Sequence, residues 1–273
     1  MRNRCALMNN AVLLIVAILL LSSCASLSPN GVGRVKHYSF GNEDLPAAFD
    51  GYKVAFISDI HYPSLFNRGR LAKVVRKLRS ESPDVLLLGG DYVTSDEYLE
   101  ELFDSISSVA PADGVYAVLG NHERRNGVEV KRAMVCNGIE LLADTVVEIR
   151  RGDDVIYLAG VYDSFDYDTL GVRPAELVDD DEFAILLCHT PDYAEATSTT
   201  ADLVFSGHTH GGQVSLLGIY TPVKNTQYGS RFLRGKNVAT SGATVITTNG
   251  IGTSRRKVRF CVPSEIVLVT LDR

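Results

Sequence analysis

In the first half of the chain, segments with the apolar spacing of a helix alternate with short apolar runs that are typical of strands. Leu71, Val74, Val75 and Leu78 lie at i, i+3, i+4 and i+7, the spacing of one apolar face of an α-helix. This spacing recurs and predicts helices over residues 71–78, 99–106 and 128–136. Short apolar runs lie between and before these segments, and they predict strands over residues 35–40, 52–58, 84–88 and 115–119.

The second half of the chain is dominated by strand patterns. Segments 145–150 and 155–160 flank Arg-Gly-Asp-Asp, which indicates a hairpin. Further strands are predicted over residues 183–188, 203–206, 244–248 and 266–271, with one helix in this half. The first half of the chain thus alternates strands and helices, and the second half is mostly strands. This order predicts an α/β (α+β) fold in which two packed sheets carry helices on their outer faces.

The first 24 residues have the pattern of an export signal. Arg2 and Arg4 precede an unbroken apolar run of 11 residues, 11–21, which is too short to span a bilayer. Leu21-Ser22-Ser23-Cys24 follows and resembles a bacterial lipobox. We therefore expect a lipoprotein signal peptide over 1–23, with Cys24 lipidated and the protein held on the exported side of a bacterial cell membrane. A signal-anchor helix, or a plain signal cut elsewhere, is the alternative.

Composition narrows the function classes. The 273 residues are 45% hydrophobic and 22% charged, as in globular proteins, and we expect a tether and first edge segment over 24–45 and one domain over 46–273. The formal net charge of −6 argues against holding nucleic acid by its phosphates, so no stable nucleic-acid partner is expected. Cys136, Cys188 and Cys261 have no metal-like or paired spacing and are predicted to be buried.

Five of the six histidines directly follow predicted strands, beside Asp, Asn or Gly. Ligands bind beyond the carboxyl ends of strands in open α/β sheets, so these side chains are expected to converge. Asp and His two residues apart in an extended segment point the same way, so both members of Asp59-Ile60-His61 can face one ion. An oxygen- and imidazole-rich cluster without cysteine suits Mn, Fe or Zn. The candidates are Asp59, His61, Asp91, Asn121, His122, His189, His208 and His210.

The ordered pattern D-x-H, G-D, G-N-H-E, H, G-H-x-H resembles the calcineurin-like metallophosphoesterases. Segments 207–213 and 248–254, with Arg259-Phe260, look like the membrane-associated phosphodiesterase branch of that superfamily. The resemblance implies a four-layer αββα sandwich with two packed mixed β-sheets. It also implies that the usual Asp after G-N-H is replaced by Glu123 without altering a ligand.

For the site, the resemblance implies two divalent metal ions. One is bound by Asp59, His61 and His210, the other by Asn121, His189 and His208, and Asp91 bridges both. Attack by a metal-bridging hydroxide on phosphorus follows from such a pair. His122 is left without a metal and is the candidate proton donor to the leaving oxygen. The alternative is that His122 orients Asp59.

A phosphodiesterase that cleaves a P–O bond in a lipid-linked or cell-envelope substrate is the expected function. Hydrolysis of a UDP-2,3-diacylglucosamine-type pyrophosphate in lipid A synthesis is one alternative, and a non-catalytic metal-binding lipoprotein is another. The metallo-β-lactamase pattern H-x-H-x-D-H is excluded, because two glycines follow His210.

Several further residues are open to two interpretations. Arg255, Arg256 and Arg259 either reach a phosphate or anionic lipid or form a solvated basic face. Leu65 and Phe66 either touch an acyl chain or pack in a loop. His37 is expected at the surface.

Overall fold

The computed structural model describes residues 33–63, 66–162, 164–165, 173–216 and 218–273, together with Asn10, Val12, Leu13 and Val16. The expected signal peptide cleavage site, Cys24 and Leu65 lie outside these residues. Within this part of the chain, no helix is both long enough and apolar enough to cross a bilayer.

Six strands form the first sheet, in the order β1-β12-β2-β3-β4-β5. β12 pairs in parallel with β1 and antiparallel with β2, while β2 to β5 are parallel to one another. The strands are β1 Arg34–Gly41, β2 Lys53–Ile57, β3 Val85–Leu88, β4 Val115–Ala117, β5 Ile139–Leu141 and β12 Glu265–Asp272.

The second sheet also has six strands, in the order β10-β11-β9-β8-β7-β6. Its four central strands are parallel, and an antiparallel strand lies at each edge. The strands are β6 Thr145–Arg151, β7 Asp154–Gly160, β8 Ala184–Leu187, β9 Leu203–Ser206, β10 Gly235–Val238 and β11 Thr244–Thr247. The predicted hairpin is confirmed as β6 and β7.

Three helices cover the outer face of the first sheet: α1 Arg68–Glu81, α2 Leu99–Ser107 and α3 Gly127–Cys136. α1 begins where the Asn67 side chain accepts a hydrogen bond from Arg70 N, which satisfies a backbone donor of the first turn. It ends at Ser82, which is left-handed with φ 50°. The apolar spacing that predicts α1 is the face buried against the sheet.

A thinner layer covers the outer face of the second sheet. It contains α4 Asp192–Ala196 and a 3₁₀ turn at Pro174–Leu177, packed on small and branched side chains of β7, β8 and β9. Between the sheets, Phe56 of β2 and Phe205 of β9 pack with ring centroids 5.3 Å apart. The predicted αββα sandwich of two mixed sheets is therefore confirmed.

Two strands and two cysteines differ from expectation. β5 and β10 are absent from the predicted strands, because one has only three residues and the other reads Gly-Lys-Asn-Val, a polar edge strand. Cys136 is exposed at the end of α3 and Cys261 is half-buried, so only Cys188 is buried as predicted. The burial prediction rested on the general behaviour of free cysteine, whereas the buried face of α3 is formed by Val130, Ala133 and Met134 and leaves Cys136 outside it.

Candidate metal centre

The predicted site residues lie at one edge of the sandwich, beyond the carboxyl ends of parallel strands from both sheets. The loops after β2, β3 and β4 come from the first sheet, and those after β8 and β9 from the second. His208 N donates to the Asp59 carboxylate at 3.0–3.1 Å, which ties the two sheets together at this edge. The convergence expected from strand ends is therefore present.

Asp59, His61, Asp91 and His210 form a buried cluster whose ligand atoms all lie within 4.8 Å of one another. His210 Nε2 is 3.2 Å from His61 Nε2 and 3.3 Å from Asp59 Oδ1. His61 Nε2 is 3.5 Å from Asp91 Oδ2. Two carboxylates and two imidazoles directed at one point are a donor set for a divalent transition metal.

A second group of side chains approaches Asp91 from the other side. His189 Nε2 is 3.6 Å from Asp91 Oδ2, and the His189 and His208 rings lie 5.2 Å apart. His189 Nδ1 is 2.6 Å from the Gly89 carbonyl, which only accepts, so Nδ1 carries the proton. This leaves the lone pair of His189 Nε2 free to bind a metal.

The residues present fit a metal, because the site contains polar atoms that the protein leaves without partners. Asn121 Oδ1 and His189 Nε2 are buried and have no hydrogen-bond partner among the described residues. Buried acceptors without partners cost about 1–3 kcal/mol each, and a cation bound there would satisfy both. They are two of the three ligands expected for the second ion.

The electrostatics of the site also favour a bound cation. Burial raises the pKa of Asp59 and that of Asp91, and the Asp91 charge raises the pKa of Asp59 further. Burial, with the neighbouring histidines second, lowers the pKa of His61 and of His208 to about 3. The imidazoles of His61 and His208 are therefore neutral at physiological pH, and a cation would offset the repulsion between the two carboxylates.

His122 lies at the same place but is far more accessible. Its backbone N–H donates to Asp91 Oδ1 at 3.0 Å, and its Nε2 is 3.9 Å from Asp91 Oδ2. The His122 side chain is 45% exposed, whereas those of His61, His189 and His210 are at most 3% exposed. His122 therefore neighbours Asp91 and His61, and it is exposed to solvent.

The prediction that Asp59 and His61 lie in an extended segment is wrong. Asp59 and His61 have φ of 54° and 46°, so the segment is left-handed at both residues and not extended. Asp91, His208 and His210 also have positive φ. Residues held in this sparsely populated region cluster at functional sites, where the surrounding structure fixes them. The side chains of Asp59 and His61 thus converge through two left-handed residues, which no spacing rule predicts.

Gly207 allows the loop after β9 to approach the loop after β2. A Cβ at this position would overlap with Ser58 Oγ and Asp59 Oδ2, although the backbone of Gly207 is not left-handed. We therefore expect Gly207→Ala to displace Asp59 and to weaken metal binding about tenfold or more, the effect seen when the support of a ligand is lost. Metal content after dialysis at limiting metal measures this.

Gly41→Ala is the matched control, because its Cβ would meet only Asp272 O at an ordinary 3.8 Å. A Gly207→Ala protein that holds metal as tightly as Gly41→Ala would show that the close approach to Asp59 is unimportant.

Glu123 is a structural residue of the site that the sequence reasoning left without a role. Its buried carboxylate accepts hydrogen bonds from Asp91 N, Tyr92 N and Gly120 N, at 2.8–2.9 Å. It thus ties the loop after β3 to the loop after β4 and fixes Asp91 against His122. The position of Glu123 directly after Gly-Asn-His was the sequence feature that could have indicated a role at the site.

Arg259 is neither a phosphate-binding residue nor part of a solvated face. It is 4% exposed, and its guanidinium donates to the carbonyls of His210, Asn249 and Gly252. Burial lowers the pKa of Arg259 to about 10, so the group remains charged at neutral pH. Arg259 holds the loops after β9 and β11 together behind the site. The sequence could not predict this burial, because Arg259 lies in a run of basic residues that is typical of an exposed surface.

The remaining side chains are placed as follows. Arg255 and Arg256 are exposed, as is His37 on β1, which agrees with the expectation for His37. Phe66 is 1% exposed and packs in the core beside Tyr62, with their ring centroids 6.3 Å apart, which supports loop packing over acyl contact.

Comparison with known proteins identifies relatives that span most of the chain. Residues 52–212 match the family model described as calcineurin-like phosphoesterase. An uncharacterized metallophosphoesterase of Aquifex aeolicus is 33% identical over 247 residues, covering 87% of this chain and 91% of the relative. The phosphodiesterase YaeI of Escherichia coli is 29% identical over 227 residues, covering 80% of this chain and 81% of that protein.

Solved structures are similar at lower identity. The crystal structure of the Thermus thermophilus protein TT1561 shares 13% identity and a TM-score of 0.49, covering 73% of this chain and 90% of TT1561.

Proposed function

The chain belongs to the calcineurin-like phosphoesterase family, hydrolases of phosphoester bonds, and on this premise we propose that it is a dinuclear phosphodiesterase. The observation that carries the proposal is the position of Asp91. Its Oδ2 lies 3.5 Å from His61 Nε2 and 3.6 Å from His189 Nε2, so one carboxylate joins two separate groups of ligands. The similarity to the phosphodiesterase YaeI of Escherichia coli supports phosphodiesters as the substrate class.

Each group of ligands corresponds to one proposed ion. The first comprises Asp59, His61 and His210, the second comprises Asn121, His189 and His208, and Asp91 is shared. Two divalent ions bound there (Mn, Fe or Zn) would clamp a phosphate group and acidify a water molecule. The protein supplies the rest. His208 N fixes the Asp59 carboxylate, the Gly89 carbonyl orients His189, and Glu123 positions the backbone of Asp91.

His122 is proposed to handle the leaving group. It is exposed to the cleft beside Asp91, and the hydrogen bond from its backbone N–H to Asp91 fixes its position. Protonated Nε2 can donate to the departing oxygen as the P–O bond breaks, and it is reloaded from solvent afterwards.

A non-catalytic metal-binding protein is the competing function. A protein that only captures metal needs one enclosed set of ligands, and it does not need an accessible imidazole that could donate a proton. The shared Asp91 and the exposed His122 both favour catalysis.

Chelation and metal add-back test the proposal directly. The chelated protein should be inactive towards an aryl phosphodiester, and Mn, Fe or Zn should restore hydrolysis, with saturation at two ions per chain. Tight metal binding with no hydrolysis of any phosphoester would establish the capture function instead.

A lipid-linked or cell-envelope phosphodiester is the proposed natural substrate. A panel that contains a lipid pyrophosphate of the UDP-2,3-diacylglucosamine type, a cyclic nucleotide and an aryl phosphodiester tests it. Preferential turnover of the cyclic nucleotide would contradict a lipid-linked substrate.

We also propose that Cys24 is lipidated and anchors the protein on the exported side of the bacterial cell membrane. The support is Leu-Ser-Ser-Cys directly after the apolar run of 11 residues. Cys24→Ala should abolish incorporation of labelled palmitate and either release the protein from the membrane fraction or stall its processing. Cys136→Ala, at an exposed cysteine far along the chain, is the control. Equal labelling of the Cys24 variant and the wild type would exclude the anchor.

A further inference from the structure

The charge of the chain is distributed very unevenly. Residues 203–264 contain eight Lys or Arg residues and no Asp or Glu, although the whole chain has a net charge of −6. The remaining residues are therefore strongly acidic. Within this segment Arg259 is buried and Arg231 pairs with Glu195, whereas Arg255, Arg256 and Lys257 are consecutive and exposed. Such a local cluster in an acidic protein favours an anionic partner at this place.

Exposed apolar side chains concentrate in the same segment. Of ten large hydrophobic residues that are exposed in the described part of 33–273, five lie on two neighbouring loops, within residues 214–224 and 254–260. They are Leu216 at 54%, Ile219 at 87%, Tyr220 at 61%, Val223 at 52% and Val258 at 39%. Exposed apolar residues scattered singly are ordinary, but a contiguous group marks an interaction surface.

These two loops are held side by side by specific hydrogen bonds. Gln213 Nε2 donates to Ser254 O at 2.9 Å, and Ser254 N donates to Gln213 Oε1 at 2.7 Å. Ser215 N donates to Phe260 O at 2.9 Å. We call residues 214–216, 218–224 and 254–260 the loop pair.

A cavity of about 290 Å³ lies between the two loops. Val214, Val223 and Val258 line it together with Arg255 and Arg256. The cavity also reaches the candidate ligand His210, so the loop pair presents apolar and cationic side chains beside the metal centre.

We propose that the loop pair docks on an anionic phospholipid bilayer surface. Ile219, Tyr220 and Leu216 enter the interface, while Arg256 and Lys257 contact the phosphate headgroups. Apolar residues flanked by Lys and Arg bind membranes in this way, and each basic side chain adds to binding only when the lipids are anionic. Tyr220 has the amphipathic ring that favours the headgroup level.

The position of the loop pair fits this occupant. It follows the candidate ligand His210 by four residues, so docking places the metal centre close to the bilayer. The first described strand begins near the end of the second loop, since Arg34 N donates to the carbonyl of Ser264, four residues beyond Phe260, at 3.1 Å. Arg34 follows Cys24 by ten residues, which span at most about 36 Å, so an anchor at Cys24 and the loop pair can reach the same membrane.

Vesicle binding by the full chain tests the proposal independently of any activity. All proteins carry Cys24→Ala, so no acyl chain is attached, and the N-terminal apolar run is common to all. The quantity compared is the ratio of partitioning onto phosphatidylglycerol-containing vesicles to partitioning onto pure phosphatidylcholine vesicles. Arg256→Ser with Lys257→Ser should lower this ratio about tenfold or more at low ionic strength, and the loss should shrink at high salt.

Ile219→Ser with Tyr220→Ser tests the apolar half of the surface. It should reduce partitioning onto both types of vesicle several-fold, and the reduction should persist at high salt. Hydrolysis of a soluble aryl phosphodiester should be unchanged in both double variants, so a failed phosphodiesterase proposal would not be mistaken for a failed membrane proposal.

α3 supplies matched controls, because it exposes Val128 and Val135 beside Lys131 and Arg132. Val128→Ser with Val135→Ser, and Lys131→Ser with Arg132→Ser, should leave binding unchanged. Equal losses in these controls, or unchanged binding in the loop-pair variants, would overturn the proposal. Loss of self-association in light scattering, without any change in vesicle binding, would also overturn it by identifying a second copy as the occupant.

Discussion

Asp91→Asn is expected to remove both metal ions and to lower the phosphoesterase rate by roughly 10³-fold or more, since metal ions contribute several kcal/mol to transition-state stabilisation. Asp91 lies between His61 Nε2 and His189 Nε2 and is the only shared carboxylate of the proposed ligand set. The amide keeps an oxygen that can accept from His122 N, so the local fold should persist. Elemental analysis of the dialysed protein, alongside the rate, measures the effect.

Asp192→Asn is the control that separates the general effect of losing a buried carboxylate from the specific loss of the metal bridge. Asp192 is 6% exposed and accepts hydrogen bonds from Thr226 and Gln227, outside the candidate site. Its variant should bind two ions and remain active. In the metal-free state, Asp91→Asn should melt no lower than the wild type, because it relieves the repulsion between Asp91 and Asp59. Two tightly held ions in Asp91→Asn would show that Asp91 is not the bridge.

His122→Asn is expected to leave metal content unchanged and to lower the rate about 10²–10⁴-fold, the usual contribution of a positioned proton donor. The backbone contact of His122 to Asp91 does not involve the imidazole, so the ligands should stay in place. The loss should be largest for an alkoxide leaving group, which needs the proton. It should be small for a nitrophenolate, which leaves without one.

Two results would contradict this role. A fall in metal content along with activity would make His122 a ligand. An equal loss for alkyl and nitrophenyl esters would mean that His122 positions substrate or stabilises charge common to both reactions. His37→Asn is the matched control, since His37 is exposed on β1 and its Nε2 lies 3.8 Å from Glu81 of α1.

Local apolar spacing predicted most of the fold because each element buries one regular face. Helix α1 shows this: Leu71, Val74, Val75 and Leu78 are the side chains that contact the sheet. Strand order was not predictable in this way, because pairing β12 between β1 and β2 depends on contacts more than 200 residues apart in sequence. β5 and β10 are too short or too polar to carry an apolar period.

The convergence of the site residues was predictable for a different reason. Residues that directly follow parallel strands lie at the same edge of the sandwich for any conformation of the longer loops. His189 after β8 and Asp91 after β3 therefore meet. What supports them was not predictable. The G-N-H-E motif marks Glu123 but not the three amides that its carboxylate accepts from. Those contacts, the left-handed backbone at Asp59 and the buried guanidinium of Arg259 depend on loops that meet only in the folded chain.

The position of β12 has a consequence for the order in which the molecule assembles. β12, Glu265–Asp272, lies between β1 and β2, so the first sheet joins its two earliest strands only through a strand made more than 200 residues later. Contacts this distant in sequence form late, because the loop-closure entropy must be overcome first. A chain in which β12 is not yet in place has its two earliest strands in no common sheet. The first sheet, and with it the edge that holds Asp59 and Asp91, is therefore completed only when β12 enters between β1 and β2.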